Sequence, residues 1–412
     1  MNLLLRHRRE FLRFLAGSPL LAQAGPHLFA QAQADSPAGT VHAATAPGAM
    51  DILNVSEFEE IAHRMLPPAH WGYVSTGVDD DATLKANIAA YRKIELRPRR
   101  LIDVSKVDMK VELFGTTWES PIFLCPVGGQ KMFHPDGELA SARAAKAKNT
   151  LQILSTQTSV SVEEVAQARG TPPWYQLYMP ARWDDAEKLV RRVEAAGCPA
   201  LVWTIDNLAG RNIETATRLA KSDSRACAAC HTVGPNGNTG RASGRNPMFV
   251  GLEGNGINPL TATWELVDRL KKVTKMKVLL KGVETGEDAR LAREHGVDGI
   301  IVSNHGGRAT EDLRPTIETL PEVITGAGAG MPVLVDGGIR RGTDVFKALA
   351  MGARAVGIGR PYVYALTAFG QNGVERALDI LHAEFQRTMR QCGTTTVAQI
   401  TRAAVVPNEA RP

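Results

Sequence analysis

Short, uninterrupted apolar runs recur along the chain, and most of them stop at a polar or glycine-rich corner. Runs of this length are typical of strands that are buried on both faces, as in a parallel sheet. The pattern predicts eight strands, at Pro121–Gly128, Leu151–Thr156, Trp174–Tyr178, Ala200–Asp206, Lys277–Gly282, Gly299–His305, Pro332–Gly338 and Ala355–Pro361.

Helical patterns lie between most of these predicted strands, at Glu138–Lys148, Trp183–Ala196, Trp264–Thr274, Gly286–His295 and Thr343–Met351. Alternating strands and helices require parallel strands that are joined by right-handed crossovers. Eight such units that close on themselves form a TIM (β/α)8 barrel, so we predict an α/β fold of this kind. A doubly wound open sheet is the alternative, and it is disfavoured because no Gly-x-Gly-x-x-Gly follows the first strand.

The sixth predicted strand ends in Ser303-Asn304-His305-Gly306-Gly307-Arg308, which is the segment richest in candidate chemistry. TIM-barrel enzymes place reactive side chains at the carboxyl ends of their strands. His305 is therefore a candidate base and Arg308 a candidate anion-binding group. Either residue alone is more often structural or solvated. Their combination with two glycines, which allow a ligand close to the backbone, favours a functional site.

Nine segments carry a family resemblance when they are taken together. They are Tyr73-Val74-Ser75-Thr76-Gly77, Leu96-Arg97-Pro98-Arg99, Pro126-Val127-Gly128, Gln130-Lys131-Met132, Gln176-Leu177-Tyr178, Leu280-Lys281-Gly282, Ser303 to Arg308, Asp336 to Gly342 and Gly359-Arg360-Pro361. The chain resembles the FMN-dependent α-hydroxy acid oxidases and dehydrogenases, such as glycolate oxidase, lactate oxidase and the lactate-oxidising flavocytochromes. The resemblance runs from about Asp51 to Ala404. It implies oxidation of a small, L-lactate-like 2-hydroxy acid with FMN as the first electron acceptor.

The resemblance also implies a flavin site at the strand ends. Lys281 matches a lysine near the pyrimidine edge of the ring, where a fixed ammonium stabilises the negative charge of the reduced flavin, and this makes it a catalytic candidate as well. Phosphate groups in TIM barrels bind to the loops after strands seven and eight. The residues expected to bind the cofactor are Pro126, Val127, Gly128, Ser155, Gln176, Thr204, Lys281, Ser303, Asp336, Gly337, Gly338, Arg340, Gly359 and Arg360.

Oxidation of a 2-hydroxy acid requires a cation for the carboxylate and a base for the hydroxyl proton. By resemblance, Arg308 binds the carboxylate and His305 is the base. Asp206 is expected to hold the tautomer and the imidazolium charge of His305. Tyr73 and Tyr178 are expected to bind the carboxylate and the hydroxyl group. The residues leave open whether the α-hydrogen leaves as a hydride or as a proton.

The chain departs from the family pattern after the fourth strand. The family has a second carboxylate-binding arginine seven residues after the strand-four aspartate, and Ile213 occupies that position here. Glu214 keeps its expected spacing. Either Arg211 takes the place of the second carboxylate-binding arginine through an altered loop, or that second arginine is missing. Arg211 is therefore the candidate for this role in substrate binding.

The same variable loop, residues 207–260, contains Cys227-Ala228-Ala229-Cys230-His231. It looks like the attachment site of c-type haem, in which two cysteines form thioether bonds and the histidine ligates the iron. Met248 is the nearest thioether that could supply the sixth ligand. A Cys227–Cys230 disulfide and a partial zinc site are the alternatives. Cys125 and Cys198 lie on apolar runs and are predicted core residues.

The N-terminal residues differ in composition from the rest of the 412-residue chain. Residues 1–32 contain paired arginines and a weak apolar stretch, and they resemble a twin-arginine export signal; a merely basic N-terminus is the alternative. The stretch is too short to be a membrane anchor. Residues 33–50 predict a linker, residues 51–404 the barrel with an N-terminal helical extension, and residues 405–412 a tail. Without residues 1–32 the formal net charge falls by three, from +5 to +2. The remaining charge is too small to indicate a nucleic-acid-binding protein.

Three classes of function remain. The leading hypothesis is a periplasmic flavohaem dehydrogenase that passes electrons through haem c to a periplasmic cytochrome c or a similar acceptor. The alternative is an oxidase that uses dioxygen and forms hydrogen peroxide, with Cys227 and Cys230 as a disulfide; Gly128 would leave room for oxygen beside the flavin. A non-enzymatic binding module is disfavoured because His305, Arg308 and Lys281 are all present. Family resemblance implies a homotetramer, and no transmembrane segment is expected.

Overall fold

Eight parallel strands close into a barrel in the computed structural model, and they follow one another around it in chain order. The strands are β1 (Ile122–Leu124), β2 (Leu151–Ser155), β3 (Trp174–Leu177), β4 (Ala200–Thr204), β5 (Lys277–Val283), β6 (Gly299–Val302), β7 (Val333–Asp336) and β8 (Ala355–Ile358). Strand β8 pairs with β1 through Val356 and Ile122, which completes the closure. The predicted TIM barrel is confirmed. The structure describes residues 48–207, 210–225, 232–233, 239–240, 246–254 and 259–407.

Helices surround the barrel and also form the predicted N-terminal extension. The extension contains α1 (Glu57–Met65), α2 (Pro68–Ser75) and α3 (Ala82–Ala90). The others are α4 (Gly137–Ala147), α5 (Val162–Arg169), α6 (Trp183–Ala195), α7 (Glu214–Lys221), α8 (Trp264–Val273), α9 (Gly286–Glu294), α10 (Thr316–Ala327), α11 (Gly342–Ala350) and α12 (Arg360–Cys392). Helix α12 bends at Phe369 and Gly370, whose backbone angles are not helical. Among the described helices, none is both long and apolar enough to span a bilayer.

Alternate strand residues face opposite sides of the barrel wall, which explains the uninterrupted apolar runs. On β5, Leu279 packs in the barrel interior and Leu280 packs against the outer helices. On β7, Leu334 faces inward, whereas Val333 and Val335 face outward. Both faces of each strand are therefore buried in apolar surroundings, as the sequence pattern predicts.

Polar contacts fasten the N-terminal extension to the barrel. The Glu311 carboxylate accepts hydrogen bonds from the backbone N–H groups of Ala82 and Thr83, at 2.7 and 3.0 Å. These N–H groups begin α3 and have no acceptor within the helix, so Glu311 caps it. The Asn87 side chain donates to Asn304 Oδ1 over 2.8 Å, inside the His305 loop. The extension is thereby held at the carboxyl ends of the strands.

Gly326 on α10 gives a test of the outer packing. A Cβ atom at Gly326 would lie 2.1 Å from the Gly286 carbonyl oxygen on α9, whereas one at Gly330 would meet no atom within 4 Å. We expect Gly326→Ala to lower the free energy of unfolding by about 1–3 kcal/mol, because helices α9 and α10 must separate. Gly330→Ala is the matched control and should change it by less than about 0.5 kcal/mol. Urea denaturation measures both, and equal midpoints would contradict this packing.

Candidate active site

A cavity of about 410 Å³ opens at the carboxyl ends of the barrel strands. The interior apolar layer below it includes Ile153, Val202, Leu279 and Leu334. Since alternate residues share a face, the residue two positions further along each strand also points inward. Those residues are Ser155, Thr204, Lys281 and Asp336, and all four line the cavity. Thr204 and Lys281 are direct partners on β4 and β5, whereas Ser155 is level with Gln176 on β3.

His305 lies in the cavity wall with both ring nitrogens engaged. Its Nδ1 atom is 2.8 Å from Asp206 Oδ1, and its Nε2 atom is 3.2 Å from the Tyr178 hydroxyl. The backbone at His305 has a positive φ of 59°, which turns the side chain off the end of β6. Asp206 is an acceptor when ionised, so His305 Nδ1 carries the proton and Nε2 is left as the basic atom.

The surroundings keep this histidine neutral and its partner charged. Burial lowers the pKa of His305 below its ordinary value, although Asp206 acts in the opposite direction. Burial alone would raise the pKa of Asp206, but the charge and hydrogen bond of His305, together with Lys281, hold it below the ordinary value. Burial, followed by the charge of Asp206, raises the pKa of Tyr178 well above its ordinary value. His305, Asp206 and Tyr178 are therefore a neutral imidazole, an ionised carboxylate and a protonated phenol.

Lys281 is a buried cation with 4% of its surface exposed, and it is fixed by two partners. Its Nζ donates to Ser303 Oγ over 2.6 Å and lies 3.3 Å from Asp336 Oδ2. Ser303 Oγ donates in turn to Asp336 Oδ1 over 2.7 Å. Burial opposes the charge of Lys281, but Asp336 and Asp206 outweigh it and raise the pKa above the ordinary value. Lys281 thus places a permanent positive charge in the cavity wall.

Four arginines in the cavity wall have no carboxylate partner among the described residues. They are Arg211, Arg308, Arg340 and Arg360. Burial lowers the pKa of Arg308, and the neighbouring charge of Arg211 lowers it further. Burial also lowers the pKa of Arg360, to about 10. Cations that are partly desolvated and unpaired favour the binding of anions.

The carbonyl oxygen of Thr76 connects two of these arginines. Arg308 Nη1 donates to it over 2.6 Å and Arg360 Nη2 over 2.9 Å. Arg360 also donates to the carbonyl oxygens of Val74 and Gly306, over 2.8 and 2.9 Å. The Arg308 guanidinium lies 5.2 Å from the centre of the Tyr73 ring. The segment that follows Tyr73 is therefore held by cations from the barrel.

The cavity fits FMN by the chemistry of its donors. Gln176 Nε2 and Thr204 Oγ1 are buried and have no hydrogen-bond partner among the described residues, although both side chains reach the cavity. A Cβ atom at Gly359 would meet nothing within 4 Å, so its backbone faces open space at the start of α12. A helix N-terminus with nearby arginines suits the phosphate of FMN. The buried amide of Gln176 and hydroxyl of Thr204, which have no partner among the described residues, suit the heteroatoms of its isoalloxazine ring.

Most residues predicted from the sequence meet at this cavity. Those that line it are Tyr73, Pro126, Val127, Gly128, Ser155, Gln176, Tyr178, Thr204, Arg211, Lys281, His305, Arg308, Asp336, Gly337, Gly338, Arg340, Gly359 and Arg360. Asp206 and Ser303 are not among the lining residues. Ser303 was expected to bind the cofactor, but its side chain is fully buried between Lys281 and Asp336. It therefore acts indirectly, by holding these two side chains through hydrogen bonds.

Other residues of the cavity wall were not predicted. Cys125 is a buried core residue, as predicted, and it also reaches the cavity wall two positions after the interior residue Phe123. Asn207 and Gln157 also line the cavity, immediately beyond the ends of β4 and β2. The strand alternation that explains Ser155 and Lys281 could have identified Cys125. The positions of Asn207 and Gln157 depend on loop conformation, for which the sequence carried no signal.

Of the four predicted haem ligands, Met248 is among the residues that the structure describes. Cys227, Cys230 and His231 lie outside the described residues. Met248, the suggested sixth ligand, is fully buried, and its sulfur accepts a hydrogen bond from the Val162 backbone N–H over 3.4 Å. The thioether thus packs into the core beside α5, which gives no support to iron ligation, and the sixth-ligand assignment stays a prediction.

Comparison with known proteins identifies the class to which this fold and cavity belong. Residues 62–407 match the FMN-dependent dehydrogenase family, and the chain belongs to that family. It is 41% identical to a peroxisomal (S)-2-hydroxy-acid oxidase of Oryza sativa subsp. japonica, over 86% of this chain and 96% of that protein. It is 42% identical to glycolate oxidase 1 of Oryza sativa subsp. indica, with the same coverage. A crystal structure of mandelate oxidase superimposes with a TM-score of 0.74 at 36% identity, over 85% and 97% of the two chains.

The comparison contradicts the expected periplasmic location. Similar 2-hydroxy-acid oxidases of Oryza sativa and Arabidopsis thaliana are peroxisomal by name. The predicted export signal, residues 1–32, lies outside the described residues. Paired arginines and a weakly apolar stretch form a loose compositional pattern, so they carry less information than the barrel motifs.

Lys281 gives a test of the cofactor site, with Lys277 at the other end of β5 as the matched control. Lys277 is exposed and pairs with Asp298. We expect Lys281→Met to lower the flavin content or to slow flavin reduction by at least about tenfold, because the reduced ring loses its fixed cation. Lys277→Met should retain both properties. Flavin absorbance and anaerobic stopped-flow spectroscopy measure them, and a Lys281→Met protein that is unchanged in both would remove Lys281 from the site.

Proposed function

We propose that this protein is an FMN-dependent (S)-2-hydroxy-acid oxidase that converts a 2-hydroxy acid and dioxygen into the 2-oxo acid and hydrogen peroxide. The observation that carries the proposal is the His305–Asp206 pair, whose imidazole lines the same cavity as Lys281 and the arginines Arg211 and Arg308. A base, a carboxylate-binding site and a flavin site thus meet in one place. The names of the similar oxidases support the stereochemistry and the acceptor.

His305 is the proposed base for the substrate hydroxyl group. Its neutral Nε2 takes the hydroxyl proton, while Nδ1–H remains bonded to Asp206. The imidazolium that forms is stabilised by this adjacent carboxylate, as general-base catalysis requires. Tyr178, whose hydroxyl lies next to Nε2, orients the substrate oxygen toward the base.

Arg308 and Arg211 are the proposed clamp for the substrate carboxylate. Arg211 lines the cavity and donates to the Arg308 carbonyl oxygen over 3.3 Å. Ile213, which occupies the position of the usual second arginine, is 40% exposed and is not part of the cavity wall. Arg211 thus lines the cavity although it stands two residues before the usual position of the second arginine, and this supports its assignment to the clamp. Two guanidinium groups favour a monocarboxylate, and the Tyr73 ring steadies Arg308 from one side.

FMN, when bound, supplies the two-electron acceptor for the substrate and the site at which dioxygen is reduced. Gln176, Thr204 and Ser155 are the proposed partners of the ring. Lys281 would hold positive charge beside the ring. Arg340 and Arg360 would bind the phosphate together with the backbone of Gly337, Gly338 and Gly359. Asp336 fixes Lys281 and so contributes indirectly.

Electron transfer through haem c stays a prediction that depends on Cys227, Cys230 and His231. The similar proteins are named oxidases, and this favours dioxygen over a haem-linked acceptor. The preference for L-lactate, the cytochrome partner and the homotetramer likewise remain predictions from family resemblance.

His305→Gln tests the base. Glutamine keeps a polar side chain but cannot take the proton, so we expect substrate-driven flavin reduction to slow by roughly 10²–10⁴-fold while FMN stays bound. His295→Gln is the matched control, since His295 lies on the outer surface beside Asp268. Anaerobic stopped-flow reduction with glycolate and L-lactate measures the loss. A His305→Gln enzyme that is reduced at the wild-type rate would exclude this proposal.

The choice between dioxygen and haem can be made on protein produced in a host that attaches c-type haem. For an oxidase, we expect the denatured protein to retain no haem chromophore, and each 2-oxo acid formed to be matched by one hydrogen peroxide. The double variant Cys227→Ala/Cys230→Ala should then consume oxygen within about twofold of wild type, because the barrel residues are untouched. A covalent chromophore that disappears with both cysteines, together with loss of cytochrome c reduction, would favour the haem pathway instead.

A further inference from the structure

Glu284 is a partly buried carboxyl group that the proposed mechanism does not use. It follows β5 directly, three residues after Lys281, and it is not part of the cavity wall. Its Oε1 atom is buried and has no hydrogen-bond donor among the described residues. An ionised carboxylate in that position would lack the donors that normally stabilise it, so the protonated form is favoured.

Glu284 follows the part of β5 that packs against Asp206, the carboxylate that holds His305. The ends of β4 and β5 meet where Ile205 N–H donates to the Lys281 carbonyl oxygen over 2.9 Å. A Cβ atom at Gly282 would lie only 2.6 Å from Asp206 Cβ, so β5 passes directly against Asp206 two residues before Glu284. The Oδ2 atom of Asp206 also has no donor among the described residues. The His305 Nδ1–H group is therefore the hydrogen-bond donor that the described residues provide for the Asp206 carboxylate, and a further charge nearby changes the strength of that interaction.

Four charged groups influence Glu284, and they come from three different segments. Asp206 follows β4, Asp312 and Arg314 lie in the loop after β6, and Asp336 ends β7. Arg314 is already paired with Glu322 over 2.8 Å, which reduces its influence. Burial, then Asp312 and Asp206, raise the pKa of Glu284 to about 8. A carboxyl group in this negative environment changes its charge close to neutral pH.

We propose that Glu284 is a positioning residue for His305: its carboxyl group follows the part of β5 that packs against Asp206, and when ionised it adds a second negative charge to the surroundings of that carboxylate. That charge stabilises the imidazolium that forms when His305 takes the substrate proton. The inference rests on the proposed function, in which His305 is the base. It predicts that flavin reduction accelerates through a second ionisation, by about three- to tenfold between pH 7 and pH 9.

Glu284→Gln tests this assignment, because the amide resembles the protonated carboxyl group at every pH. We expect the rate of anaerobic flavin reduction in the variant to lose its alkaline rise between about pH 7 and pH 9. Glu284→Asp should restore an alkaline ionisation, since it returns a carboxyl group. Glu287→Gln, an exposed carboxylate on α9, is the matched control and should follow the wild-type profile. An alkaline rise that persists in Glu284→Gln would overturn the inference.

A second measurement does not depend on catalysis. A raised carboxyl pKa means that the folded protein binds this proton more tightly than the unfolded chain does. Stability is then highest below the ordinary value of 4.5 and falls as the pH rises through about 8. We expect this part of the decline in urea midpoint to be absent from Glu284→Gln and present in Glu287→Gln. An infrared band of a protonated carboxyl group that titrates near pH 8 should likewise be absent from Glu284→Gln and present in Glu287→Gln.

The two outcomes are separable. If His305→Gln is inactive but Glu284→Gln keeps the wild-type pH profile and stability, this inference alone fails. If the flavin of His305→Gln is reduced at the wild-type rate, His305 is not the base, and the proposed function is excluded together with this inference. A Glu284→Gln protein that does not fold would still be tested by the infrared band of the wild type, which must titrate near pH 8; a wild-type spectrum without that band would refute the assignment.

Discussion

Alternate residues of a strand must share one face, and the chemistry of this barrel depends on that constraint. An apolar layer that includes Leu279 and Leu334 fills the interior, and the next inward position on the same strands carries Lys281 and Asp336. Polar groups brought together in this way cannot stay buried without partners. The bonds from Lys281 to Ser303 and Asp336 meet that requirement, and they also fix the direction of the ammonium group.

Charge is distributed unevenly around His305. On the cavity side, Arg211 and Arg308 have no carboxylate partner among the described residues, so this side attracts an anion. On the opposite side of the ring, Asp206 accepts the hydrogen bond of Nδ1, so this side stabilises a protonated imidazole. A base between the two can bind an anionic substrate on one side and stabilise its own positive charge on the other. Neither half of this arrangement would suffice alone, because a carboxylate substrate and an imidazolium need opposite charges.

The sequence predicted the barrel well because strand burial leaves a direct pattern. The Leu151 and Trp174 runs begin where β2 and β3 begin, and the residues just beyond each strand form the cavity. Predictions that required tertiary contacts were less secure. Ser303 lies behind the wall because its hydroxyl bridges two neighbouring strands, and Met248 is buried because the loop after β4 returns to pack beside α5. Glu284 had no signal at all, since its neighbours Asp206 and Asp312 are distant in the chain.

The Thr76 carbonyl oxygen accepts bonds from Arg308 and Arg360, and it thereby joins the region expected for the substrate carboxylate to the region expected for the cofactor phosphate. An anion that draws one guanidinium away from this oxygen leaves it to the other, so occupancy of the two regions is energetically linked. By thermodynamic necessity the linkage acts equally in both directions. A single peptide group in the N-terminal extension can therefore let each half of the cavity respond to whether the other half is filled.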